Sequence, residues 1–275
     1  LTAGRSLPSV APQPFRDILP TIKQDVPNPK GKIAIFTGCL LDFVYVDIAT
    51  DVVKALNMAG YIVEMPLGQA CCGAPATYMG DVENAKKAAE MNLNAMEAEK
   101  YDYIVSACPT CTHALRDYVD FFKDDPEMLK KAEELRSKTF DFCKLVSMLG
   151  GLPDTGDGVP MKVTYHDSCH LNRYLGVTKE QRELLKATKG VELIEMHDCD
   201  KCCGFGGSYS VKFPEMSAPI LEEKINNIVA SGADVVAVDC PGCLLQIRGG
   251  LDARGLNNIQ VKHTAQIVVE KREKK

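Results

Sequence analysis

The sequence has no surplus of basic charge: 32 lysines and arginines face 37 aspartates and glutamates, a formal net charge of −5. A nucleic-acid binder needs a cationic footprint, so that class has little support. No apolar run approaches the roughly 20 residues that cross a bilayer. The opening "LTAGRSLPSVAPQPFRD" also lacks the charged-then-apolar order of a secretory signal. These absences predict a soluble protein. A Walker-type phosphate loop and a dinucleotide fingerprint are missing too, and no bound nucleotide or flavin is expected. The chain opens on Leu1 and not on methionine. It is therefore read as a fragment, a processed product or the tail of a longer protein.

What is abundant is cysteine, 12 in 275 residues. Without an export signal, metal or redox chemistry takes precedence over disulfides. Ten of the cysteines fall into two series of one form: a single cysteine, a CCG pair, then a CPxC pair. The first is Cys39, Cys71, Cys72, Cys108 and Cys111; the second is Cys169, Cys202, Cys203, Cys240 and Cys243. From Cys39 to Cys169 the offset is 130 residues, and from Cys108 to Cys240 it is 132. The flanks repeat as well, "KIAIFTGCLLD" with "MKVTYHDSCHLN" and "KYDYIVSACPTC" with "GADVVAVDCPGC". Chance clustering of cysteines would not repeat the flanks, so this is an internal duplication.

Each copy alternates strand and helix signals. "KIAIF", "YIVEM" and "YDYIVSA" read as strands in the first, and "MKVTYH", "VELIEM" and "ADVVAVD" in the second. Between them lie helical stretches such as "DIATDVVKALNMAG", with Asp47 as expected N-cap, and "PEMSAPILEEKINNIVASG". The expected fold class is α/β: two duplicated domains with mostly parallel sheets, related by a pseudo-twofold. Residues 1–30, with six prolines, are read as an extended arm or linker, residues 31–150 as the first domain and 151–275 as the second. "DPEMLKKAEELRSKTFDFCKLVSMLGG" reads as one long helix before the glycine- and proline-rich "LPDTGDGVP".

In this arrangement the cysteines sit where strands end, the edge at which open α/β sheets collect ligands. Each CPxC pair is expected to open a helix, with proline at its first position. Free amides and the positive end of the helix dipole would then favour thiolates. The glycine after each CC pair is expected to let the backbone turn tightly around a bulky ligand. Five thiols with an adjacent pair fit a zinc tetrahedron poorly and suit an iron–sulfur group. A structural zinc site and disulfides stay as the competing readings.

The doubled pattern of cysteine, CCG and CxxC resembles the cysteine-rich CCG domains found in heterodisulfide reductase, in the glycolate oxidase iron–sulfur subunit and in the lactate utilization proteins. "HDSCHLNRYLGV", "CCGFGGSYSVKFPEMS" and "VKHTAQIV" look most like the glycolate- and lactate-oxidising branch, and "GQACCGAPATYMGD" like the first half of lactate utilization protein A. The resemblance covers about residues 31–270. It implies two 4Fe-4S clusters, cubane or non-cubane, one held by Cys39, Cys71, Cys72, Cys108 and Cys111, the other by Cys169, Cys202, Cys203, Cys240 and Cys243. It further implies an oxidoreductase subunit that carries electrons from a flavin dehydrogenase partner towards a quinone or other carrier. A ferredoxin-like iron–sulfur subunit or upstream domain is a second implied partner, since this chain holds no ferredoxin run of cysteines. The implied location is cytoplasmic, with contact to the inner membrane only through partners. Completeness of both cysteine sets keeps disulfide reduction of the heterodisulfide reductase kind open.

Other residues draw less. Cys143 lies in an apolar helical stretch and reads as a buried small hydrophobe. Cys199 stands outside the duplicated pattern and reads as a nonligand. His166 and His170 flank Cys169, where an imidazole could hydrogen-bond a sulfur or simply cap the strand edge. His263 follows a strand signal and is expected to cap the last helix. His113 and His197 have only their nearness in sequence to recommend them.

Overall fold

The apolar runs that end in cysteines become the inner strands of two parallel sheets. The computed structural model describes residues 8–154 and 158–273. Residues 1–7 of the expected N-terminal arm and 155–157 of the segment between the copies lie outside the described residues. One unit spans Val10–Pro153, and the other is built from Asp154 onward.

The first unit begins with a single helical turn, α1 (Phe15–Ile18), followed by β1 (Lys32–Ile35), α2 (Gly38–Phe43), α3 (Val46–Met58) and β2 (Ile62–Glu64). Next come α4 (Ala74–Tyr78), α5 (Val82–Met96), β3 (Tyr103–Ser106), α6 (Pro109–Asp117), α7 (Pro126–Lys138), β4 (Thr139–Asp141) and α8 (Phe142–Met148). The strand order is β2-β1-β3-β4, and every pairing is parallel. Helices cover both faces, which is why Ile33, Ala34 and Ile35 in β1 are all buried instead of alternating. α3 packs through Ile48, Val52, Val53 and Leu56, the helical spacing of an apolar face. It starts at Val46, so Asp47 sits in its first turn rather than at the cap.

The proline-rich start is partly built into this unit. Phe15 and Leu19 are buried. The backbone N–H of Arg16 and its guanidinium both bond the fully buried carboxylate of Asp42 in α2. Gln24 donates to the carbonyl of Val63 and accepts from its N–H, each at 2.8 Å, continuing the sheet edge beside β2.

The long helix expected over residues 125–151 is not one helix. It breaks into α7, β4 and α8. Thr139, Phe140 and Asp141 extend and pair with Ile104, Val105 and Ser106 of β3. The Asp141 carboxylate then caps α8 by accepting from the N–H groups of Cys143 and Lys144. The local helical preference of this stretch yields to the backbone hydrogen bonds of the open edge of β3 and to that cap.

The second unit repeats the plan: β5 (Met161–His166), α9 (Glu180–Lys186), β6 (Val191–Leu193), α10 (Tyr209–Lys212), α11 (Pro214–Ser231), β7 (Val235–Val238), α12 (Pro241–Ala253), β8 (Gln260–His263) and α13 (Thr264–Glu270). The order is β6-β5-β7-β8, again all parallel. The duplication thus extends to a fourth strand and a final helix. His263 closes β8 and caps α13 by accepting from the Ala265 N–H, while Gln266 reaches back to the His263 N–H at 2.9 Å. Its counterpart in the first unit is Asp141. Among the described residues no helix is long and apolar enough to cross a membrane.

Candidate metal centre

A strand order of 2-1-3-4 sends the connections of β1 and β3 in opposite directions and opens a crevice at their carboxyl ends. In the first unit Cys39 follows β1 at the start of α2. Cys71 and Cys72 lie in the loop after β2, and Cys108 and Cys111 follow β3. Cys108 is the N-cap of α6, with Pro109 at the first helical position, as the CPxC reading expects. In the second unit Cys240 caps α12 in the same way with Pro241.

The five thiols of each unit meet in one continuous chain of contacts. In the first it runs Cys39 to Cys71 to Cys72 to Cys111 to Cys108. In the second it runs Cys169 to Cys202 to Cys203 to Cys243 to Cys240. Donation from Cys39 and Cys72, helped by the Gly73 and Cys72 N–H groups, holds the Cys71 thiol down to about 2 despite burial. Donation from Cys169 and Cys203, with the Gly204 N–H 3.3 Å from Cys202 Sγ, does the same to Cys202, also to about 2. The neighbours shift the opposite way. Cys72 is helped by Cys111, but its own donation to Cys71 and its burial together outweigh that help, and it rises to about 12. Cys203 rises to about 12 through donation to Cys202 and burial, against help from Cys243. Cys39 and Cys169 are pushed up by donating to Cys71 and Cys202, and Cys111 and Cys243 by donating to their neighbours and by burial. Crowding therefore sets neighbouring thiols against one another: Cys71 and Cys202 are favoured as thiolates, while the thiols that donate to them are held protonated. Five sulfurs so close ionise together only around a cation, which is the donor chemistry of a metal–sulfur group.

The glycine of each CCG has a different cause from the one expected. Gly73 and Gly204 have φ of +81° and +80°, so the backbone does turn tightly. A Cβ on Gly73, however, would meet the Ala85 carbonyl oxygen of α5 at 3.2 Å, and one on Gly204 the Ser217 carbonyl oxygen of α11 at 2.8 Å. These glycines make room for the backbone of the next long helix. The glycine that lies against a sulfur is Gly38, with φ +57° and its would-be Cβ 2.9 Å from Cys111 Sγ. Gly204→Ala is expected to destabilise the second unit by about 1–3 kcal/mol through the forced left-handed backbone and the carbonyl contact. Urea unfolding followed by circular dichroism measures it.

The surroundings of the two sets differ. In the first, Gln69 ties the loop to β1, donating to the Ile35 carbonyl at 2.9 Å and accepting from the Thr37 N–H at 3.3 Å. Asn92 of α5 accepts from the Ala70 N–H at 2.8 Å and donates to the Cys71 carbonyl at 2.9 Å, and the Tyr118 hydroxyl donates to the Cys72 carbonyl at 3.0 Å. In the second, Lys224 of α11 takes the place of Asn92 and donates to the carbonyls of Asp198 and Cys199 at 2.6 and 3.2 Å. Burial lowers the Lys224 ammonium from its ordinary value, while Cys199, Cys203, Asp200 and Asp167 favour its charge. Tyr165 donates to the buried Asp239 at 2.5 Å, and the His263 ring lies 3.7 Å from the other Asp239 oxygen. Arg182 holds Asp167 with two bonds, at 2.9 and 2.8 Å.

Among the described residues His166 is the histidine that reaches a sulfur set. It ends β5 fully buried, neither ring nitrogen has a hydrogen-bond partner there, and its ligand atom lies with those of Cys203 and Cys243 within 4.8 Å of one another. Burial first, then the charge of Lys224, lowers it to about 4, so the ring is neutral near pH 7. His170 instead stacks on Tyr174, centroids 5.3 Å apart. His113 pairs with Asp117 and His197 with Asp198. Cys143 is buried in α8, in the apolar role expected of it. Cys199 faces Arg182 at 3.5 Å, outside the chain of sulfurs. Lys224 and Asn92 are not singled out by the sequence reading, though a signal exists. Each falls on the apolar face of its helix, Lys224 among Leu221, Ile225 and Ile228, Asn92 among Ala89, Leu93 and Met96.

Comparison with known proteins agrees with this organisation. The family model of the cysteine-rich domain CCG matches twice, at residues 33–116 and 163–248. Lactate utilization protein A of Shouchella clausii is 39% identical over 240 residues, 87% of this chain and 99% of that protein. Lactate utilization protein A of Bacillus subtilis is 36% identical over 238 residues, 86% of this chain and 98% of that protein. Among solved structures, a hypothetical protein from Helicobacter pylori superposes with a TM-score of 0.62 at 11% identity, over 95% of this chain and 54% of that one, a likeness of fold alone. Two matched cysteine-rich domains and relatives aligned along nearly their whole length place the chain in one family: it belongs to the CCG-domain proteins represented by lactate utilization protein A.

Proposed function

We propose that the chain is the iron–sulfur electron-transfer subunit of a system that oxidises a 2-hydroxy acid, lactate or glycolate. The observation that carries this reading is the repeated chain of five sulfurs at the crevice of each sheet. The relatives' name, lactate utilization protein A, supports the substrate class. Cys39, Cys71, Cys72, Cys108 and Cys111 would hold one 4Fe-4S cluster, and Cys169, Cys202, Cys203, Cys240 and Cys243 the other. The clusters supply one-electron redox chemistry when bound. The protein's own part is to place the sulfurs, bury them and set the surrounding charge. A flavin dehydrogenase would deliver electrons, a ferredoxin-like domain or subunit would relay them, and membrane contact would come through these partners.

Direct reduction of a disulfide is the second reading, favoured by the completeness of both five-thiol sets. Reoxidation of the reduced chain by small disulfides, followed in the visible spectrum, separates it from pure electron transfer. Iron and acid-labile sulfide analysis of anaerobically isolated protein tests both readings. Both elements are expected, and abundant zinc without sulfide would leave a zinc-stabilised interaction module instead.

A further inference from the structure

The two sulfur sets are alike in connectivity and unlike in charge. Corresponding helices, α5 and α11, pass behind the two CC loops, as the matching approaches of Ala85 to Gly73 and Ser217 to Gly204 show. On the same turn of those helices stand Asn92 in the first unit and Lys224 in the second. Asn92 is neutral, and its amide is taken up by Ala70, Cys71 and Tyr118. Lys224 brings an ammonium into a position 1% exposed, and its charge acts on both Cys203 and His166. The carboxylate near both, Asp167, is already held by two bonds from Arg182.

A second difference lies at the end of the first strand of each sheet. Phe36 follows β1 three residues before Cys39, and His166 ends β5 three residues before Cys169. Both are fully buried. The phenyl ring offers a sulfur nothing polar. The imidazole has one N–H to give, no partner among the described residues, and Cys203 and Cys243 beside it.

Reduction adds negative charge to a sulfur-bound cluster, so a fixed buried cation and an N–H donor favour the reduced state. We propose, building on the iron–sulfur reading above, that the two sites are unequal in potential: the second, beside Lys224 and His166, is the electron sink, and the first is the site of lower potential. Each step moves one electron from a one-electron donor onto a cluster, with no bond made or broken. Lys224 acts from behind the Cys199 carbonyl and is a positioning and charge-setting residue, not a catalytic one.

The test is a reductive titration with dithionite and mediators on the full chain isolated anaerobically, followed by electron paramagnetic resonance, with iron and sulfide counted on each sample. Two waves are expected. Lys224→Gln should move only the upper wave to lower potential, and Lys224→Arg should restore most of the shift. His166→Phe, which copies the first unit and opens no cavity, should lower the same wave and keeps the test decisive if Lys224→Gln does not fold. Full iron content with both variants leaving the upper wave in place, or moving the lower one, overturns the inference alone. Absence of iron and sulfide from the wild-type chain overturns the iron–sulfur reading and the inference with it.

Discussion

If each unit holds a cluster, as proposed, Cys203→Ser is expected to remove one metal centre and leave the other. Cys203 is the middle link of the second chain of sulfurs, in contact with Cys202 and Cys243 and fully enclosed. A serine oxygen is harder and shorter-reaching than a thiolate and does not replace it as a ligand for iron. If each unit carries a cluster of the same kind, iron per chain should fall by about half. The surviving spectrum should belong to the first unit, and Cys72→Ser should give the complementary loss. Cys143→Ser and Cys199→Ser are the controls, since neither sulfur belongs to the chain of contacts; both should keep full iron. Unchanged iron and spectrum in Cys203→Ser would remove the second site from the assignment.

Arg182→Ala should produce the largest loss of stability outside the cysteines. The guanidinium donates to Asp167, Glu195 and the Thr178 carbonyl, and packs over the Tyr165 ring at 5.1 Å from its centroid. Asp167 is almost wholly buried, so deleting its partner strands a carboxylate, a change that costs about 3–5 kcal/mol. Urea unfolding under anaerobic conditions should show it. Arg182→Lys should recover only part, because an ammonium cannot make the paired bonds to Asp167. Adding Asp167→Asn to Arg182→Ala should recover stability if the stranded charge is the cause. A cost below about 1 kcal/mol for Arg182→Ala would instead class the contact with ordinary surface pairs.

Much of the candidate site is legible in the amino-acid sequence alone. Ten cysteines repeating with their flanks identify both sulfur sets. The prolines of "CPTC" and "CPGC" mark helix starts, because a proline inside a helix would break it whereas the first turn tolerates the missing N–H. Pro109 and Pro241 accordingly open α6 and α12, behind the caps Cys108 and Cys240. Where local spacing falls short, the deciding contact is distant in sequence. The stretch 125–151 has the composition of one helix, and only the open edge of β3 draws Thr139–Asp141 into a strand. Asp47 has the residue type of an N-cap, yet α3 begins one residue earlier, at Val46.

The sequence by itself determined the duplication, the α/β alternation, the two sets of five cysteines and the helix starts at both CPxC pairs. All of these are carried by local spacing, which survives without knowledge of the fold. The tertiary structure decided the order in which the sulfurs touch, the fourth strand of the first sheet and the reason for each CCG glycine, whose missing Cβ clears a carbonyl of the following helix. It alone set Lys224 and His166 beside the second sulfur set and Asn92 and Phe36 at the matching places of the first. Spacing along a chain says which face a side chain shares, but the charge a site feels depends on which elements are packed against it.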